Sequence, residues 1–248
     1  MKVIILGSGT CVPSLERNAP GYYLEVSGKH ILVDCGSGTI LQLEKAGKNY
    51  RDINAVFVTH IHPDHISDLM PFIHALVATP GYKRENDLLA VGPKDFKKFY
   101  ESCISFVIKR PRTFIIELVE IEEKLDLGYL HVFSRKTVHS ENSIAYRFED
   151  GKKSVVITGD CDYDEGIIEL SRNADLLIAD CSFPDSMKVA GHLTPKECGL
   201  IARKAKVKKL VLSHIYPVPY SDSQRLEECR SVFDGHALLA EDLMEINV

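Results

Sequence analysis

With 248 residues the chain is long enough for one large hydrophobic core and short for two independent ones. Hydrophobic residues make up 45% and charged residues 26%, a globular balance that lacks the long apolar run a membrane span needs. The net charge of −5 excludes global attraction to nucleic acid, and seven scattered cysteines without a CxxC pair argue against a disulfide framework and for a reducing, cytoplasmic compartment.

The chain opens on a short apolar run that Gly7 stops, too brief for the core of a signal peptide, and Val3 to Leu6 reads as a strand. Gly7-Ser8-Gly9 is not a dinucleotide fingerprint, because the third glycine position is Val12; a tight loop bordering a site is expected. Tyr22 to Val26 and His30 to Val33 are strands joined by the turn Ser27-Gly28-Lys29, which gives the first part of the chain an antiparallel character. Phe114 to Val119, Tyr129 to Phe133 and Ile144 to Phe148 add further strands.

Four segments share one pattern, a β-rich apolar run that ends abruptly in a metal-capable side chain. They are Val56 to His60, Val155 to Asp160, Leu176 to Asp180 and Leu210 to His214. Runs that are apolar at every position read as strands buried on both faces, and such a sheet needs helices over it. Helical spacing occurs at Leu41 to Ala46, Ile66 to Ala78, Asp164 to Ser171 and Thr194 to Lys204. The last opens on Thr194-Pro195 with Glu197 following, a cap and a proline at the first helical position. Its basic end (Arg203, Lys204, Lys206, Lys208, Lys209) reads as the solvated face of a helix and its exit loop. With no linker or low-complexity stretch, a single α/β domain over 1–248 is predicted, two sheets sandwiched between helices, with polar ligands converging where strands stop.

Thr59-His60-Ile61-His62-Pro63-Asp64-His65 places three imidazoles and a carboxylate within six residues. His60 and His62 can point into one space from an extended turn, while Asp64 and His65 enter the next helix, where Asp suits the dipole. Imidazole and carboxylate are zinc-type ligands that need no thiolate. By contrast, Cys161 and Cys181 read as small buried apolar residues, and His30, His74, His131 and His236 lack ligand-type context.

The HxHxDH run resembles the signature of the metallo-β-lactamase superfamily, which implies a four-layer αββα sandwich and two divalent metal ions, zinc first, with manganese or iron as alternatives. Leu32-Val33-Asp34-Cys35-Gly36, Thr158-Gly159-Asp160 and Leu212-Ser213-His214 are similar to further segments of that superfamily. Within it, Leu6 to Thr10 through Pro13 and Arg17-Asn18, His139 to Ser143 with Tyr146 and Arg147, and Gly191-His192-Leu193-Thr194 resemble the tRNA 3′-end endonucleases (tRNase Z) and related phosphodiesterases. The resemblance implies that His60, His62 and His139 hold one metal, that Asp64, His65 and His214 hold the other, and that Asp160 bridges them. It implies His192 as the proton donor to the leaving oxygen, with Asp64 supporting it as well as binding metal. Asp34 and Asp180 would orient ligands through a free ring nitrogen.

The implied reaction is attack on an electrophile by hydroxide generated at the metals. Asp160 follows His139 by only 21 positions, leaving no room for the tRNA-clamping arm, and Ala145 stands where the endonucleases commonly carry glycine. The expected substrate is therefore a small or single-stranded phosphodiester, with tRNA left open. A thioester or lactone hydrolase and a metal-stabilised binding protein are the alternatives; a homodimer is compatible with the sequence.

Overall fold

The computed structural model describes residues 1–248, and its first half builds one sheet. Strands β1 (Lys2–Gly7), β2 (Gly21–Val26), β3 (Lys29–Cys35), β4 (Ala55–Phe57), β5 (Leu88–Gly92) and β6 (Ile116–Glu120) lie side by side in that order. A second sheet follows from β7 (Lys124–Asp126), β8 (His131–Lys136), β9 (Ile144–Glu149), β10 (Ser154–Ile157), β11 (Leu176–Asp180), β12 (Lys209–Ser213) and β13 (His236–Leu239). The last strand, β14 (Glu245–Asn247), returns to pair antiparallel with β1 at the edge of the first sheet.

Side-chain alternation explains the layering. In β1, Val3 and Ile5 enter the core between the sheets, while Ile4 and Leu6 enter a separate core beneath the helices. Phe57 closes the inter-sheet core edge-on against Tyr146 and Phe148, with centroids 5.4 and 5.2 Å away. Outside the first sheet lie the helices Thr39–Lys45 and Leu69–Ala78. Outside the second lie Glu165–Leu170, Pro195–Ala205 and Asp222–Arg230, packed on Leu177, Leu212 and neighbouring residues. The predicted αββα sandwich is thus the fold. The Thr194 capping box is present in full, with Thr194 Oγ1 accepting from Glu197 N and the Glu197 carboxylate from Thr194 N. No helix is long and apolar enough to cross a membrane.

Several elements differ from the sequence reading. Beyond β3 the first sheet is parallel, with β4, β5 and β6 all running with β3. The strand expected from Phe114 starts at Ile116. The helix expected over Ile66 to Ala78 is two helices, Pro63–Ile66 and Leu69–Ala78. Asp68 explains the break: its N–H donates to Cys35 O and its carboxylate accepts from Ile40 N, tying the chain down to the end of β3. Strands β5, β7, β13 and β14 and the helical segments at 96–107 and 222–230 were not foreseen.

Candidate metal centre

Five strands end at one edge of the sandwich and each delivers a polar residue there. β3 delivers Asp34, β4 leads into His60, β10 into Asp160, β11 ends in Asp180 and β12 leads into His214. Asp34 and His214 hold left-handed backbone at φ +57° and +59°, conformations that cost non-glycine residues energy and cluster at functional sites. Gly159, at φ +56°, has no such cost. A Cβ there would lie 2.7 Å from the Thr59 side chain, so glycine lets the Asp160 loop close against the His60 loop.

The structure brings His60, His62, Asp64, His65, His139, Asp160 and His214 together, in two sets. His62 Nδ1 lies 3.0 Å from His60 Nε2 and 3.1 Å from His139 Nε2, and Asp160 Oδ2 lies 3.7 and 3.5 Å from those two Nε2 atoms. The other oxygen, Asp160 Oδ1, lies 3.1 Å from His65 Nε2 and 3.2 Å from His214 Nε2, while Asp64 Oδ2 is 3.7 and 3.4 Å from the same two atoms. One carboxylate therefore faces each set with one oxygen. Two nitrogens bound at about 2.0–2.1 Å to a tetrahedral ion stand about 3.3 Å apart, the spacing found here.

In four of the five histidines the ring nitrogen turned away from the centre is occupied; the exposed His62, which faces the centre with Nδ1, is the exception. His65 Nδ1 pairs with Asp34 Oδ2 at 2.7 Å, His139 Nδ1 with Gly191 O at 3.0 Å, His214 Nδ1 with Ser182 Oγ at 2.9 Å and His60 Nδ1 with Thr59 Oγ1 at 3.1 Å. Each bond fixes a ring's orientation and tautomer and leaves its Nε2 lone pair free for a cation. Asp34 is fully buried and also accepts from Thr59 N at 2.8 Å and Thr59 Oγ1 at 2.9 Å, so it fixes both a ligand and the loop that carries the ligands. Replacing Asp34 by alanine is expected to weaken metal binding roughly 10–100-fold. Chelator competition measures this; unchanged affinity would show that His65 needs no such support.

His65 Nε2, His214 Nε2 and Asp160 Oδ1 are buried without a hydrogen-bond partner, as expected of donors aimed at a common cation. Electrostatics agree. Burial opposes charge on His65 and His214, yet Asp160, with Asp34 for one and Asp64 for the other, outweighs it and raises both above the ordinary imidazole range. Asp160 is itself held well below the carboxylate range, since His214 and His65 outweigh its burial. His60 is pushed far down by burial and by His65, and His139 down by burial against the pull of Asp160, which favours the neutral imidazole that a metal would need in both. The site concentrates positive charge, which divalent ions supply without protons. These donors fit two divalent metal ions.

His192 sits beside the ligands, its ring stacked on His214 at 5.6 Å between centroids. Its Nδ1 bonds Asp180 Oδ2 at 2.9 Å and Ser182 Oγ at 3.1 Å. The Asp64 carboxylate faces His65 and His214 and acts on His192 only through its charge, whereas Asp180 is the acid bonded to His192. Asp180 instead ties two histidines together, since its Oδ1 accepts from Ser182 Oγ at 2.6 Å, which contacts His214. Burial opposes charge on His192 too, and Asp180 outweighs it to raise the pKa. Thr59 and Ser182 were missed, because a lone hydroxyl beside a strand end carries no sequence signal. Cys161 and Cys181 are buried in the outer core, and His30 and His131 pair with Tyr23 and Asp126, away from the centre.

Comparison with known proteins agrees with this architecture. Residues 17–214 match the family model of the metallo-beta-lactamase superfamily. The chain is 29% identical to ribonuclease Z of Archaeoglobus fulgidus, across all of this chain and 97% of that protein. It is 30% identical to the probable metallo-hydrolase YhfI of Bacillus subtilis, across 97% of each. The crystal structure of YhfI superposes with a TM-score of 0.86 at 27% identity, over 99% of this chain and 98% of that one. Human tRNase Z, short form, superposes with a TM-score of 0.82 at 25% identity, over 100% and 99%. The family match runs from Arg17, in the loop after β1, to the last histidine of the centre: this chain belongs to the metallo-beta-lactamase superfamily and is a metal-dependent hydrolase.

Proposed function

We propose that the protein is a phosphodiesterase that holds two zinc ions and cleaves a small or single-stranded phosphodiester. Zinc is the first choice because the donors are imidazoles and carboxylates without thiolates; manganese or iron would accept the same set. When bound, the paired ions would polarise the scissile phosphoryl group and lower the pKa of water. His60, His62 and His139 would hold one ion, Asp64, His65 and His214 the other, and Asp160 would span both. The observation that carries the reading is the Asp180–His192 pair beside those ligands. With Nδ1 engaged by Asp180, His192 keeps Nε2 without a protein partner, where it can give a proton to a departing alkoxide. Hydrolysis of a phosphodiester with a poor leaving group needs such a donor, whereas thiolate loss from a thioester needs it much less.

A second reading is supported by the likeness to ribonucleases Z, namely cleavage of tRNA precursors at the 3′ end. Length favours the first. The archaeal ribonuclease Z aligns over 308 positions, so it carries segments that this chain of 248 residues lacks, whereas YhfI aligns over 248 positions. Side-by-side assays of the zinc-loaded protein with a chromogenic phosphodiester, a thioester, a lactone and precursor tRNA test this. Turnover of the phosphodiester with weak or no tRNA cleavage is expected. Preference for the thioester or lactone overturns the reaction class, and efficient site-specific tRNA cleavage establishes the second reading.

A further inference from the structure

The segment from Lys94 to Arg112 leaves the metal-bearing edge of the first sheet at the end of β5 and carries six cations: Lys94, Lys97, Lys98, Lys109, Arg110 and Arg112. Against them stand only Asp95 and Glu101, so the segment has a net charge of +4 in a chain whose total is −5. All six cations are exposed. None is paired with an acid; exposed lysines such as Lys29, Lys83 and Lys152 are unpaired too, and what sets this segment apart is that its six cations fall so close together in the chain. Charge left unpaired and gathered on one surface is directed at something outside the chain.

Three further features say what that is. Phe106 is 89% exposed and Val107 63%, so a bare aromatic ring stands among the cations. A cleft of about 540 Å³ lies between this segment and β6, lined by Tyr100, Arg110, Phe114 and Leu118 among others, toward the start of β6 and so at the far end of the segment from the metal-bearing edge. The segment is also fastened to the metal site: Asp95 Oδ2 accepts from Asn142 Nδ2 at 2.8 Å, and Asn142 belongs to the loop that carries His139. Cations interleaved with aromatic and apolar surface, on a segment that runs from the metal-bearing edge at Lys94 to the start of β6, match a single nucleic-acid strand, whose phosphates take the charges and whose bases stack without regard to sequence.

We propose that residues 94–112 form the docking surface for a single-stranded nucleic-acid substrate and lead it to the metal centre. This rests on the phosphodiesterase reading and narrows it to a polymeric substrate. A membrane carrying anionic lipid would also find cations and exposed apolar groups here, but it would not account for the tie between the segment and the His139 loop.

The test is fluorescence anisotropy of the zinc-loaded protein with a labelled, uncleavable 2′-O-methyl oligoribonucleotide of about 12 nucleotides, within the range such sites span. The triple variant Lys97→Ala/Lys98→Ala/Lys109→Ala removes exposed side chains only, and near-UV circular dichroism with zinc content confirms its fold. At moderate salt it should bind at least about tenfold more weakly, and the slope of log K against log salt should shrink by about 2 for three lost phosphate contacts. Phe106→Ala should weaken binding with the salt slope unchanged. Turnover of the small chromogenic phosphodiester should be unaffected in both variants. Unchanged oligonucleotide affinity and slope in the triple variant overturns the proposal. So does a defect confined to binding of phosphatidylserine vesicles, which would make the surface a membrane contact. If the oligonucleotide defect appears but the small phosphodiester is not hydrolysed by the parent protein, the docking surface stands and the reaction proposal falls.

Discussion

Replacing Asp160 by alanine is expected to strip both metal ions and lower turnover by at least about 10³-fold, the loss that follows from removing several kcal/mol of metal-derived stabilisation. The two oxygens of this carboxylate are divided between the two ligand sets, Oδ2 toward His60 and His139 and Oδ1 toward His65 and His214. No other side chain touches both sets in this way. Its loss also leaves three buried imidazoles without the anion that balances bound cations, since Asp160 is among the charges acting on His60, His65 and His214 alike. His214→Ala, by contrast, removes a donor from one set and should chiefly weaken one ion. Elemental analysis after zinc reconstitution, with turnover on the same samples, separates the cases. Two tightly held ions and near-parental activity in the Asp160→Ala protein would show that the carboxylate does not bridge.

The site was legible in the sequence because a metal centre needs its donors at strand ends, where the backbone stops abruptly. Apolar runs terminated by His60, Asp160, Asp180 and His214 advertise that arrangement, and the HxHxDH loop concentrates four donors in one turn. The inner and outer layers were legible for a related reason. Strands such as β10 and β12, with the unbroken apolar runs Val155 to Ile157 and Leu210 to Leu212, can only be covered on both faces. What was not legible depends on contacts between distant parts of the chain. The break at Ser67-Asp68 comes from Asp68 reaching Cys35 and Ile40, and the local pattern continues across it as a helix. Strands β7 and β14 have three residues each, too few to show a period. Which acid bonds His192 was not legible, because Asp64 and Asp180 are equally plausible in a sequence. Only the folding of the loop after β11 back over the strand end brings His192 to Asp180.

Replacing His192 by alanine should lower kcat by roughly 10²–10⁴-fold, the usual contribution of a positioned proton donor, while zinc content stays at two ions. His192 lies close to Asp160 and His214, near enough that its own candidacy as a metal ligand has to be met. Its Nδ1 is taken by Asp180 and Ser182, and the two sets built from the other seven residues each hold at least three donors without it. The role as donor rather than ligand makes a distinctive claim about leaving groups. A nitrophenolate departs readily unprotonated, so the variant should keep most of its activity on an aryl phosphodiester. An alkyl or ribosyl alkoxide needs a proton as its bond to phosphorus breaks, so there the full loss should appear. Because Asp180 acts through His192, Asp180→Asn should reproduce the same dependence on leaving group, with a smaller loss. Comparing kcat for aryl and alkyl substrates alongside zinc content decides the matter. Metal lost in step with activity would make His192 a ligand, and an equal loss on both substrates would make it a structural prop, since neither role distinguishes a good leaving group from a poor one.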